Sequence, residues 1–199
     1  MFIEPHLGGK NRRTGWIEVI CGCMFSGKTE ELIRRLNRAL IGKQKVEIFK
    51  PVKDVRYHRE HIVSHNETTI RSTPVNFASD ILLLSGDCDV VGVDEAQFFD
   101  PSIVEVCNTL ANGGKRVIVA GLDMDFEGKP FGPMPNLLAV AEFVTKLHAV
   151  CAQTGELASF SFRLVNAEDQ VMLGEKREYE ARSRRSFVDG MMMRKNERD

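Results

Sequence analysis

Eight residues constrain this chain more than any others: Gly22-Cys23-Met24-Phe25-Ser26-Gly27-Lys28-Thr29. They match the phosphate-binding pattern G-x-x-x-x-G-K-[ST] at every position. The flanks agree. An apolar β-type run, Trp16 to Cys21, enters the loop, and a helical pattern leaves it from Thr29. A strand, a tight glycine turn and a helix N-terminus form an anion cradle. Backbone N–H groups point inward, and the helix end adds partial positive charge. All eight residues are therefore expected at a nucleoside triphosphate. Lys28 would reach the terminal phosphates, and the Thr29 hydroxyl would ligate magnesium.

A length of 199 residues with 43% hydrophobic content suits one α/β domain plus a small appendage. The 27 basic and 28 acidic residues leave a net charge of −1, so nothing points to nucleic acid as a partner. Cysteines 21, 23, 88, 107 and 151 are odd in number, and two lie at the phosphate loop. That usage fits reduced thiols rather than a disulfide framework. The first 15 residues contain no apolar segment like a leader, and no run approaches the ~18 apolar residues of a membrane span. A cytoplasmic location with no membrane partner is expected.

Residues 1–14 read as a flexible Gly/Arg-biased arm. Over residues 15–145, strands at 16–21, 46–49, 90–93 and 117–120 alternate with helices at 29–41, 78–84 and 102–112. That alternation predicts a parallel sheet covered by helices, an α/β class. The apolar residues of the 102–112 helix fit a subunit interface or the core, with the core favoured. Residues 53–66, with Arg56, His58, His61 and His65, read as a mobile polar loop. Residues 146–188 read as a small, mostly β domain with pieces near 146–150, 159–164 and 170–173. Residues 189–199 read as a flexible tail.

A second chemical feature is Val90-Val91-Gly92-Val93-Asp94-Glu95, an apolar strand ending in acids. A phosphate-loop enzyme needs such a strand: one carboxylate for magnesium, another for the nucleophile. Asp94 is assigned to the metal, Glu95 to the nucleophile, and Gln97 to the nucleotide side of the site. Asp94-Glu95-Ala96-Gln97 also resembles the acidic box of helicases, which suggests a nucleic-acid motor as an alternative. Chain length, charge balance and the lack of a basic stripe interleaved with aromatics oppose it. A non-catalytic nucleotide sensor is a further alternative, and it would not need Glu95.

Together the landmarks resemble the thymidine kinases of the tetrameric, cytosolic type. The resemblance rests on the phosphate loop, Lys50-Pro51-Val52-Lys53-Asp54-Val55-Arg56-Tyr57, Asp94-Glu95-Ala96-Gln97-Phe98-Phe99 and Leu122-Asp123-Met124-Asp125-Phe126. Lys129-Pro130-Phe131-Gly132 and Tyr179-Glu180-Ala181-Arg182 complete it, over about residues 15–187. It implies a RecA-like phosphate-loop core with a C-terminal lasso domain, zinc-ribbon-like in type. It implies transfer of the ATP γ-phosphoryl group to the 5′-hydroxyl of thymidine, with ATP and magnesium as cofactors. Glu95 then matches the base, with Lys28 and Arg56 at the transferring phosphate. Met24, Phe98, Leu122, Phe126 and Phe131 match a thymine slot. Phe126 is the one most expected at the base, because an Asp-rich turn is a poor place for a core residue. Gln170, Val171, Met172, Leu173 and Gly174 match the lasso, and Tyr179 matches a tyrosine near the sugar. A homotetramer and feedback inhibition by thymidine triphosphate are also implied.

One departure concerns zinc. The family's lasso carries two Cys-x-x-Cys or Cys-x-x-His pairs, and here those positions hold Cys151, Thr154, Ser183 and Ser186. Structural zinc takes four thiolate or imidazole ligands in a tetrahedron, and hydroxyls that stay protonated are poor substitutes. No zinc is expected. A rebuilt site using His148 and Cys151 is the alternative.

Overall fold

The computed structural model describes residues 14–52, 61–63, 69–165 and 178–196. Arg56 and the stretch Gln170, Val171, Met172, Leu173 and Gly174 lie outside them.

The apolar runs form strands, and the helical patterns pack across them. In chain order these are β1 (Trp16–Gly22), α1 (Lys28–Ile41), β2 (Val46–Pro51), β3 (His61–Val63), β4 (Thr69–Arg71) and β5 (Thr73–Val75). Then follow α2 (Asp80–Leu84), β6 (Val90–Val93), a 3-10 turn (Ala96–Phe98), α3 (Ile103–Asn112), β7 (Arg116–Gly121), α4 (Met134–Val140) and β8 (Phe143–Leu147). The chain closes with β9 (Ala149–Val150), β10 (Leu157–Ala158), β11 (Phe160–Arg163), β12 (Tyr179–Arg182) and α5 (Arg184–Asn196).

Six strands form one sheet in the order β5-β2-β6-β7-β1-β8, with every neighbouring pair parallel. Parallel sheets bury both faces, which is why β6 and β7 are buried along their whole lengths. Side chains alternate across the sheet. Ile17, Val19, Val91, Val93, Val117 and Val119 face α2, α3 and α4. Ile20, Ile48, Val90, Ile118 and Ala120 face Leu32, Ile33, Leu36 and Ala39 of α1. Helix α3 spends Ile103, Val106, Cys107 and Leu110 on the core.

Glu18 points to the α1 face and is fully buried with two arginines. Arg35 of α1 donates to it at 2.8 Å, and Arg116 at 2.6 Å. Trp16 Nε1 also donates to it at 2.7 Å. A buried charge needs such partners, since desolvation otherwise dominates.

Three expectations change. The sheet continues through β8 to Leu147, past the expected boundary at 145, with Lys146 opposite Cys21. Only alternate side chains of this edge strand are half-buried, which is why its sequence reads as a strand of a separate small domain. Helix α5 runs on to Asn196 where a tail was expected from 189, because Phe187 and Met191 pack against Phe160 and Phe162. His61–Val63 is a strand paired with β4, not loop.

After the sheet, β9–β10 and β11–β12 form two short antiparallel pairs. They pack on the phosphate loop: Cys23 shares a cluster with Ala149, Cys151, Ala158 and Ala181.

Candidate functional site

The loop at the end of β1 is tightly determined. Gly22 has φ 143°, and a Cβ there would lie 2.3 Å from the Leu147 carbonyl oxygen of β8. Gly27, at φ 85°, caps α1 in the left-handed region. Both positions therefore require glycine. Lys28 Nζ donates to the Cys23 carbonyl at 2.8 Å, as does Ser26 Oγ. The ammonium is held across its own loop. Burial lowers the Lys28 pKa, and the charges of Glu95, Cys23, Asp94 and Asp123 oppose that. Ser161 Oγ of β11 accepts from the Met24 amide at 2.9 Å, so the small β module steadies the loop.

Strand β6 delivers the acids. Asp94 is buried; its Oδ1 accepts from the Glu95 amide at 3.0 Å, and its Oδ2 lies 3.5 Å from Thr29 Oγ1. A carboxylate facing a hydroxyl is a hard oxygen pair of the kind magnesium takes, so these residues fit that ion. Glu95 is left-handed, with φ 52° and ψ 41°. A non-glycine residue there stores roughly 1–2 kcal/mol, and such strain collects at functional sites. Gln97 then fixes the carboxylate: its Nε2 donates to Glu95 Oε2 at 2.5 Å. Its Oε1 accepts from the Leu122 amide at 2.9 Å. Gln97 thus links the two acidic strand ends from a buried position.

The aromatic side follows from the loop after β7. Gly132, at φ 49°, lies so close to Gln97 that a Cβ would sit 2.4 Å from the Gln97 carbonyl oxygen. That contact brings Phe131 edge-to-face onto Phe98, with ring centroids 5.7 Å apart. Asp125 Oδ1 accepts from the amides of Glu127 at 2.9 Å and Lys129 at 3.0 Å, which orders the turn carrying Phe126. Phe126 is half-buried beneath the Arg163 guanidinium. Tyr179 is buried opposite Arg163 in the β11–β12 pair.

The chain Lys28–Thr29–Asp94–Glu95–Gln97–Leu122 is thus contiguous; Phe98 and Phe131 meet beside Gln97, Met24 is bonded to Ser161, and Phe126 and Tyr179 meet at Arg163. The arrangement can hold a polyphosphate at the loop, a hard cation at Asp94, a proton acceptor at Glu95 and a planar ring among aromatics. Residue-by-residue reading missed Ser161, Arg163, and the Asp123–Lys146 ion pair at 2.6 Å. Only the alternation Phe160-Ser161-Phe162-Arg163 hints that Arg163 is buried.

Comparisons with known proteins agree. The family model described as thymidine kinase matches residues 15–187. A thymidine kinase of Bacteroides thetaiotaomicron is 56% identical over 188 residues, covering 94% of each chain. One from Rhodothermus sp. is 58% identical over 94% of this chain and 88% of its own. One from Porphyromonas gingivalis is 62% identical over 84% of this chain and 82% of its own. The chain belongs to the thymidine kinase family. That membership does not favour the motor or sensor alternative. Among the described residues no helix is long and apolar enough to cross a membrane.

Around Cys151 of this thymidine kinase family member, polar side chains bond to one another. Ser186 Oγ donates to Gln153 Oε1 at 2.9 Å, and Thr154 Oγ1 donates to Glu156 Oε2 at 3.1 Å. His148 Nδ1 pairs with Ser159 Oγ at 3.1 Å, turned to its own neighbour. Among the described residues no three His, Cys, Asp or Glu side chains converge. Hydroxyls and amides satisfying one another do not suit zinc. Burial alone would raise the Cys151 thiol, but hydrogen bonding from Thr154 and from the Ser183 and Gln153 backbone brings it down to about 6.

Proposed function

We propose that the protein transfers the γ-phosphoryl group of ATP to the 5′-hydroxyl of thymidine, giving thymidine monophosphate. What supports this most is the Glu95 carboxylate, fixed by Gln97 one residue from Asp94, which faces Thr29 of the phosphate loop. Loop amides and Lys28 cradle the β- and γ-phosphates. Thr29 and Asp94 would hold magnesium, which would supply charge neutralisation there. Phe98, Phe126, Phe131, Leu122 and Met24 hold the thymine ring by stacking and apolar contact. The 5′-oxygen attacks phosphorus, the bond from the γ-phosphorus to the bridging β-γ oxygen breaks, and Glu95 takes the hydroxyl proton. Positioning and electrostatics dominate such transfers.

Arg56 serves the transferring phosphate in this reading. Residues Gln170 to Gly174 read the pyrimidine edge from a lasso built on the small β module, whose closure excludes water and suppresses ATP hydrolysis. The module holds together without zinc. A cytoplasmic homotetramer is part of the same reading, and sedimentation of the purified protein tests it.

Glu95→Gln is the direct test of mechanism. The variant keeps its hydrogen-bonding shape and loses its base. Phosphoryl transfer should fall about 10²- to 10⁴-fold, while ATP binding stays as in the parent. Unchanged transfer would remove Glu95 from the chemistry.

A further inference from the structure

Strand β1, which feeds the phosphate loop, has a neighbour on each side, since the strand order runs β7-β1-β8. Cys21 of β1 lies opposite Gly121 of β7 on one side and opposite Lys146 of β8 on the other. Asp123 follows Gly121 by two residues, and its Oδ2 meets Lys146 Nζ at 2.6 Å. The ion pair therefore joins the two neighbours of β1 across its end, where the chain turns into the loop. The thiols beside Gly22 agree with that placement. Burial pushes the Cys21 thiol up to about 11, the Asp123 charge adds to the rise, and the Lys146 and Lys28 charges oppose it. Cys21 and Cys23 both act in turn on the Lys146 ammonium, whose pKa is raised chiefly by its hydrogen bond to Asp123.

The wall that this pair closes is the one the loop rests on. Leu147 follows Lys146, and its carbonyl oxygen would lie 2.3 Å from a Cβ on Gly22, the first loop residue. A shift of β8 at Lys146 therefore reaches Gly22 directly. An anion cradle works best when its amides are aimed before the anion arrives. Asp123 is 7% exposed and the Lys146 side chain 45%, so the carboxylate is the fixed member and the ammonium is drawn onto it. A pair wholly at the surface contributes little, but here one end is anchored in the fold and has a geometry to impose. Asp123 Oδ1 is buried with no hydrogen-bond partner among the described residues, so the carboxylate can take a second donor.

We propose that Asp123 and Lys146 are positioning residues for the nucleotide, strapping β7 to β8 so that the phosphate loop between them is held in its anion-binding shape. This rests on the reading of the loop as an ATP site. The pair acts through Gly22 and the loop amides, so its effect falls on MgATP.

The test is equilibrium binding of MgATP to the full chain, with the thymidine KM measured alongside. The parent is compared with Asp123→Leu, Lys146→Met, the double variant and Lys146→Arg. Breaking the strap from either end should weaken MgATP about three- to tenfold, and the double variant should be no worse than the weaker single. Two separate charges near a polyphosphate would behave otherwise. Removing the carboxylate would then tighten MgATP, removing the ammonium would weaken it, and the double variant would bind as the parent does. Lys146→Arg keeps the charge and offers its fork to both carboxylate oxygens, so it should bind MgATP within about twofold of the parent. The thymidine KM should stay within about twofold throughout, because each variant keeps the Asp123 backbone carbonyl that accepts from the Phe131 amide. Unchanged or tighter MgATP binding in Asp123→Leu overturns the proposal. So does a loss shared equally by MgATP and thymidine, which is what general loosening predicts. If a single variant does not fold with its partner left unpaired, the double variant decides: weaker MgATP supports the strap, and parent-like binding overturns it. A parent that binds no MgATP defeats the ATP-site reading instead, and that outcome is separate because it appears before any variant is compared.

Discussion

Gly132 shows how closely single residues are constrained around the site. Its φ of 49° and the 2.4 Å approach of a Cβ to the Gln97 carbonyl leave no room for a side chain. Gly132→Ala should displace Phe131 from Phe98 and raise the thymidine KM, with a stability loss of about 1–3 kcal/mol in urea titration. Cys151 gives a pH signature. Its thiol falls from the ordinary 9.0 to about 6 in the fold, so the thiolate is favoured there. A lowered pKa contributes stability that is fully present above the unfolded value and is lost as pH falls through the folded one. Stability from this residue should therefore rise from about pH 6 to about pH 9. Cys151→Ser should flatten that rise in urea midpoints across the same window. The convergence of Lys28, Thr29, Asp94 and Glu95 was the most legible in sequence, since each belongs to a short local pattern. Arg163 and Gln97 were less legible because their roles depend on partners far along the chain or on the fold of a turn.

At the scale of elements, β6 was readable to the residue because a fully buried strand is a continuous apolar run. Strand β8 was read into the wrong layer: an edge strand with alternating half-burial resembles a strand of a small β domain. Helix α4 was missed, being short and entered through Pro133. Strand β5 carries Pro74, which suits the sheet edge where β5 lies. The Glu18–Arg35–Arg116 cluster ties β1, α1 and β7 together and was invisible in sequence, since its members are 17 and 98 residues apart. Glu18→Ala should strand two buried guanidinium groups and cost about 3–5 kcal/mol, read as a lower thermal midpoint. The thymidine KM of the folded fraction should stay as in the parent, because the cluster lies away from the loop.

The whole molecule is a sheet that presents its chemistry at the ends of β1, β6 and β7, and a β module packed onto the loop. Cys23 sits in the module's apolar cluster, and Met24 is bonded to Ser161. Packing of the module and order in the phosphate loop are therefore coupled. Arginine–phenylalanine stacking, with Arg182 3.4 Å from the Phe162 centroid and Arg184 4.9 Å from that of Phe160, gives the module its own cohesion. Chelation should then leave its thermal midpoint unchanged, and metal analysis should find less than about one zinc per ten chains. The measurement that bears most directly on the account is MgATP-dependent thymidine monophosphate formation by the chelator-treated protein. The account predicts robust product at the untreated rate. ATP binding with no thymidine monophosphate formed would contradict it.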